Sequence, residues 1–168
     1  MEHKPEDEGF AAFYEQARAE CLRAVYAAVG DWPLAEDATA EAFARAYASW
    51  RKVRVHPAPR AWVVRTALNT HISWWRRRRR EVAWDASHDA EDRCAEDVQV
   101  DRHVMQALRA LPGGQREDVV LRIFLDLDTK TTAQVLGVTP GTVTSQLSRA
   151  LAVLRAALAL TSRQEPMK

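Results

Sequence analysis

Between Glu81 and Asp101 the chain reads EVAWDASHDAEDRCAEDVQVD, with eight acidic residues against one basic, few large apolar side chains and no sustained period. Such a stretch buries too little apolar surface to offset the entropy of ordering it, so it reads as a flexible acidic linker. On both sides of it apolar residues recur every three or four positions, the spacing of amphipathic helices. Two small domains rather than one are therefore expected from the 168 residues. The predicted architecture is all-α, with helical domains at 9–81 and 101–160 and a linker at 82–100.

Residues 1–8 are polar, with nothing to anchor them in a core, and are expected to be disordered. From Gly9 a helix is predicted, because Phe10, Phe13, Ala17, Cys21 and Ala24 share one face, and Gly30 supplies the stop. Asp31 is placed to cap a second helix, with Pro33 in its first turn, where a missing N–H costs nothing. The apolar stripe of this helix is Ala35, Thr39, Ala42, Ala46 and Trp50, which leaves Glu36, Asp37 and Glu41 on an acidic front. Two readings of that front stay open: carboxylates solvated near a helix N-terminus, or a surface for a basic partner.

Residues 51–80 hold ten basic side chains and no Asp or Glu. The formal charge of +1 thus conceals alternating blocks: −6 over residues 1–50, +10 over 51–80, −7 over 81–101 and +4 beyond. Pro57 and Pro59 interrupt RKVRVHPAPR and predict a basic loop carrying Arg51, Lys52 and Arg54. A third helix from Pro59 to Arg80 is predicted to bury Trp62, Val63, Ala67 and then Ile72 or Trp75. Arg65, Asn69, Ser73, Arg76 or Arg77, and Arg80 follow one another at three- and four-residue steps, a line that can track a phosphate backbone. Favourable contact with the helix dipole explains one or two cations at a helix end, whereas Arg76–Arg80 are five, and release of counterions from several phosphates explains them better. Trp74 and Trp75 are open to packing or to base stacking.

After the linker, Val104, Leu108 and Leu111 predict a helix ended by Pro112-Gly113-Gly114, and Gln115–Leu125 a second. TKTTAQVLGVTPGTVTSQLSRALAVLR then fits a helix-turn-helix. Ala133 permits close helix contact, Gly137 sits at the turn, and Val138 and Val143 are expected in the shared core. Thr139 is a cap for the second helix and Pro140 its first residue. Thr142, Thr144, Ser145, Gln146 and Arg149 would project into a major groove, unless the pair is a helical hairpin with no DNA to bind.

Cys21, Cys94, His88 and His103 have no metal-ligand spacing, and no cofactor is expected. Neither a nucleophile–base arrangement nor a phosphate-binding glycine loop is present, and the basic blocks lack carboxylates for Mg²⁺, so no enzymatic activity is expected. The acidic N-terminus is unlike a secretory signal and no run approaches the ~18 apolar residues of a membrane span, so a cytoplasmic protein without membrane insertion is expected.

Taken in order, GDWPLAEDATAEAFARAYASW, PRAWVVRTALNTHISWWRRRRRE, ALRALPGGQREDVVLRIFLDL and LGVTPGTVTSQLSRALAVLR resemble the extracytoplasmic-function (ECF) sigma factors, the smallest group of the sigma-70 family. The first two stretches resemble sigma region 2 and the last two region 4. The resemblance implies a transcription initiation factor that binds core RNA polymerase, recognises a two-part promoter and opens its −10 element. It implies that Glu36, Asp37 and Glu41 dock on the clamp helices of the beta-prime subunit. Arg51, Lys52, Arg54, Arg65, Asn69, Ser73, Arg76, Arg77 and Arg80 would engage the −10 element. Thr142, Thr144, Ser145, Gln146 and Arg149 would engage the −35 element, with the beta flap against the other surface of region 4. An anti-sigma factor is a further implied partner. The chain differs from the common pattern at Ala40, where Gln often stands, at Ser73, where Asp does, and at Thr144, where Lys does. The alternative is a free-standing helix-turn-helix regulator whose first domain binds a partner.

Overall fold

The computed structural model describes residues 5–81 and 102–162, with side chains over 8–70 and 103–159. The predicted linker at 82–100 and the side chains of Ser73, Trp74, Trp75, Arg76, Arg77 and Arg80 lie outside the described residues. Among the described residues every regular element is helical, in two compact units: α1 (Pro5–Val29), α2 (Trp32–Ala48), α3 (Trp50–Val53) and α4 (Pro59–Glu81) in the first, α5 (Arg102–Ala110), α6 (Gly113–Val119), α7 (Thr129–Leu136) and α8 (Pro140–Ser162) in the second. No described helix is long and apolar enough to cross a membrane.

In the first unit α1, α2 and α4 pack pairwise. Their shared faces are built from small side chains, with Ala17, Cys21 and Ala24 meeting Ala35, Ala42 and Ala46 and, on α4, Ala61, Val64 and Ala67. All nine are fully buried, and side chains of this size let helix axes approach closely. Larger residues close the ends. Phe13 lies 5.1 Å from Trp50 and 5.9 Å from Phe43, and Tyr14 meets Phe43 edge-on at 4.9 Å, which fastens α3 and the end of α2 to α1. Burial of Cys21 pushes its thiol up to about 12, so it is a packing residue and not a reactive one.

The predicted terminators are where the periodicity put them. Gly30 takes φ 75° and donates to the Tyr26 carbonyl at 2.7 Å, while Asp31 accepts from the Leu34 amide at 2.9 Å and caps α2. The start of α1 is a correction: it begins at Pro5 and not at Gly9, since proline at the first position followed by Glu6, Asp7 and Glu8 suits a helix N-terminus. Arg51 and Lys52 also lie on a helical turn, α3, rather than in an extended loop. That turn closes because the amides of Lys52 and Val53 both reach the Ser49 carbonyl and Val53 is buried in the core.

In the second unit α8 packs against α5, α6 and α7 around Met105, Leu108, Val119, Leu121, Val143 and Ala150. Pro112 ends α5 as expected, but Gly113 and Gly114 form the first turn of α6 rather than prolonging the break. The Arg116 guanidinium reaches back to the carbonyls of Arg109 and Leu111, at 2.6 and 2.9 Å, and satisfies the end of α5. Beyond Val119 the helix widens into a π turn, Val120–Phe124, that leaves Ile123 half exposed. Gly137 takes φ 70° between α7 and α8, the left-handed turn that the helix-turn-helix requires. Val138 is a correction: it is 37% exposed, and Val143 alone of the two predicted residues enters the core.

Asp118 is the exception in this core. It is fully buried on α6, and neither carboxylate oxygen has a hydrogen bond of ordinary geometry among the described residues. Burial pushes its carboxyl up to about 6, against opposing pulls from Arg122 and the Leu147 backbone. A carboxyl raised from 3.8 to about 6 costs stability wherever it is ionised: the cost is absent below about pH 4, grows through the interval and is complete above pH 6. Asp118→Asn is therefore expected to stabilise the second unit by about 2 kcal/mol at pH 7.5, or roughly 5–10 °C in its melting transition. Thermal melts of the full chain check this, and the gain should vanish near pH 4.

Candidate polymerase and nucleic-acid interfaces

Two concave sites lie on opposite parts of α2 in the first unit. One is a groove of about 190 Å³ between α1 and α2, lined by Tyr14, Arg18 and Leu22 on one side and Glu36, Asp37, Thr39, Ala40 and Phe43 on the other. Glu36 and Asp37 are exposed and neither has an ion pair or hydrogen bond among the described residues. Glu41 differs from them, because Arg45 one turn on holds its carboxylate at 2.8 Å. Such an exposed pair contributes little stability, yet it neutralises Glu41 locally. The three predicted docking carboxylates thus divide into a free pair and a paired one.

The second site, about 430 Å³, lies between the end of α2 and α4, lined by Arg45, Ala48, Ser49, Trp62, Thr66 and Asn69. Its volume is within the range of small-ligand sites. Asn69 is exposed as predicted and presents both a donor and an acceptor. Its neighbours were not foreseen. Trp62, expected as a core residue, is only half-buried and offers ring surface, while Arg45, paired with Glu41, lines it from α2. Arg65, expected on the same line as Asn69, is half-buried instead.

Arg51, Lys52 and Arg54 are exposed beside this site, on α3 and just after it. The loop that follows is held by an internal bond, in which the Ala58 amide donates to His56 Nδ1 at 3.0 Å, fixing the approach to α4. Arg60 belongs to the basic block by sequence only: it bonds Glu20 on α1 at 2.7 Å and ties two helices together. The backbone of α4 is helical through Glu81, so positions 76–80 continue along the same rod.

On α8 the predicted groove-facing residues have unequal roles. Thr139 caps the helix through the Thr142 amide at 3.2 Å, and the Thr142 hydroxyl lies 2.9 Å from that of Thr139, within the cap. Gln146 folds towards α6, where an added Cβ on Gly114 would come within 3.3 Å of its Nε2. Thr144, Ser145 and Arg149 remain exposed, with the first two hydroxyls bonded back to the carbonyls of Pro140 and Thr142. Ser148 is exposed on the same stripe and was missed, although its three- and four-residue spacing from Ser145 and Thr144 marks it.

These two units correspond to known sequence families. The sigma-70 region 2 model matches residues 13–81 and the sigma-70 region 4 model residues 102–154. An RNA polymerase sigma-E factor of Streptomyces coelicolor is 36% identical over 136 residues, covering 80% of this chain and 77% of that protein. The chain belongs to the sigma-70 family of RNA polymerase sigma factors, in its ECF group. Another sigma-E factor, from Streptomyces antibioticus, is 37% identical over 123 residues, covering 72% of this sigma factor and 68% of the relative. Among solved structures, the sigma factor RpoE of Bartonella quintana, in complex with the anti-sigma factor NepR, aligns with a TM-score of 0.73 over 90% of this chain and 98% of its own. At 22% identity that likeness bears on the fold alone. The expected all-α, two-domain fold and the ECF sigma-factor assignment are borne out.

Proposed function

We propose that this sigma factor engages core RNA polymerase and promoter DNA through separate ends of its first unit, and the −35 element through α8. The segregation of charge on α2 and α3 carries this reading. Glu36 and Asp37, without partners among the described residues, lie near the start of α2, whereas Arg51, Lys52 and Arg54 follow its end. Glu36 lies twelve residues before the end of α2 at Ala48; at 1.5 Å per residue that is about 18 Å, enough for protein and DNA to bind together.

Docking on the beta-prime clamp helices is assigned to Glu36 and Asp37, with Glu41 moderated by Arg45. Entry of one unpaired base of the −10 element is assigned to the groove holding Asn69, Trp62 and Thr66, flanked by the cations of α3. An extruded base has lost its stacking, which ring surface and amide bonding in such a groove replace. Arg76, Arg77 and Arg80 then follow the backbone, while Thr144, Ser145 and Arg149 face the major groove of the −35 element with the beta flap on another surface of region 4. The chain acts by binding, with no bond-making step assigned to it. An anti-sigma factor is a proposed regulator, in keeping with the NepR partner of the Bartonella quintana protein.

Asn69→Ala tests the base-capture step. Transcription from a fully paired promoter is expected to fall about tenfold, the loss of one to two hydrogen bonds in the melted complex. A template already mismatched across the −10 element bypasses much of the cost of melting and should restore most of the activity. Equal activity of the variant on the paired template would remove Asn69 from the step.

A further inference from the structure

The segment joining α3 to α4 turns on His56, whose two ring nitrogens have unlike surroundings. Nδ1 accepts from the Ala58 amide at 3.0 Å, so it keeps its lone pair and the ring proton sits on Nε2. Nε2 has no hydrogen bond among the described residues, and the side chain is half-buried. The backbone of His56 is held as well, since its amide donates to the Val53 carbonyl at 3.0 Å. Val53 and Ala58, on either side, are buried and anchor the segment in the core. His56 therefore presents one N–H donor from a fixed place.

We infer that His56 donates its Nε2–H to a phosphate of the opened −10 strand, while the bond between Nδ1 and the Ala58 amide fixes the direction of that donor. The inference rests on the reading of α3 and the segment after it as the DNA end of the first unit, and adds to that end a contact that is not a cation. Charge selects the phosphate. Arg51, Lys52 and Arg54 are exposed and precede His56 closely, and no Asp or Glu occurs in residues 51–80. A donor set among these cations meets anionic oxygen, and a hydrogen bond to a charged acceptor is roughly twice as strong as one between neutral groups.

Geometry selects where that phosphate lies. The Ala58 carbonyl accepts from the Trp62 amide at 3.1 Å, so the residue that orients the His56 ring is bonded to a wall of the groove holding Asn69. The contact is accordingly assigned to a phosphate flanking the extruded base. It is also a directed contact. The long side chains of Arg51, Lys52 and Arg54 lose rotamer freedom when they settle on DNA, whereas the His56 ring is ordered by the fold beforehand and loses little.

An oligonucleotide carrying the −10 non-template strand, from a promoter that run-off transcription identifies, tests the assignment. Its binding to the holoenzyme is measured by fluorescence anisotropy, alongside thermal melts of the sigma factor. His56→Asn keeps the bond to Ala58, because an asparagine side chain bonds the amide two residues on, but it stops short of the Nε2 position. Affinity is expected to fall about tenfold, the loss of a hydrogen bond to a charged group, with the melting temperature unchanged. His56→Ala loses both bonds and should bind more weakly still. Replacing each phosphate in turn by an uncharged methylphosphonate should weaken the parent at several positions, one of which has no effect on His56→Asn. If His56→Asn binds like the parent, the ring only staples the segment and the contact is wrong. If His56→Asn binds weakly yet responds to every methylphosphonate as the parent does, the donor meets a base and the phosphate assignment is wrong. If the parent holoenzyme holds the oligonucleotide no better than a scrambled one, the reading of the DNA end itself fails, and the contact with it.

Discussion

Replacing Glu36 and Asp37 together with lysine is expected to abolish co-purification with core RNA polymerase while leaving the helical fold in place. Both side chains are exposed and neither has an ion pair or hydrogen bond among the described residues, so the change breaks none there. The change does place two cations near the start of α2, unfavourable to the helix dipole by about 0.3–1 kcal/mol each. At the interface the effect is larger, because like charges set against a basic partner cost several kcal/mol. Two such oppositions imply an affinity loss of about a thousandfold or more. Lysine at Glu41 should do less, since Arg45 already holds that carboxylate at 2.8 Å. Circular dichroism together with pull-down on core enzyme separates the outcomes: retained helicity with retained binding would contradict the docking assignment.

The second large effect concerns the end of α4. Alanine at Arg76, Arg77 and Arg78 removes three of the five consecutive cations there. Each phosphate contact contributes about 0.9 to the slope of log affinity against log salt, so the slope of promoter binding should become shallower by up to about 2.7. Between 50 and 200 mM salt the parent would then lose about 40-fold more affinity than the variant. Binding should weaken across all promoter sequences alike, because phosphate contacts carry no base information. An unchanged slope would take these arginines away from the DNA.

Local signals in the sequence were the reliable ones. Gly30 and Gly137 take the positive φ that their positions implied, and Asp31 and Thr139 bond the amides three residues ahead. Each depends on neighbours within a turn, so the residue type is enough. What was missed depends on partners distant in sequence. Arg60 belongs to the basic block by sequence, yet Glu20, forty residues earlier, bonds it. Trp62 looked like core because its spacing matched Val63 and Ala67, yet the end of α2 leaves one of its sides open to a groove with Asn69. The burial of Asp118 was equally hidden, because a polar residue on a helix reads as solvent-facing until another helix covers it. The family resemblance supplies the proposed surfaces, whereas the three-dimensional packing divides their described side chains into exposed and occupied ones.

Run-off transcription tests the account most directly. Core RNA polymerase, a pool of bacterial promoter fragments and this sigma factor are combined, and the 5′ ends of the transcripts are sequenced. A new set of start sites is predicted only when the sigma factor is present, sharing one −10 and one −35 element, and lost with lysine at Glu36 and Asp37. The same transcripts with and without the protein, or fewer with it, would contradict the account and identify a regulator that binds promoters without starting transcription.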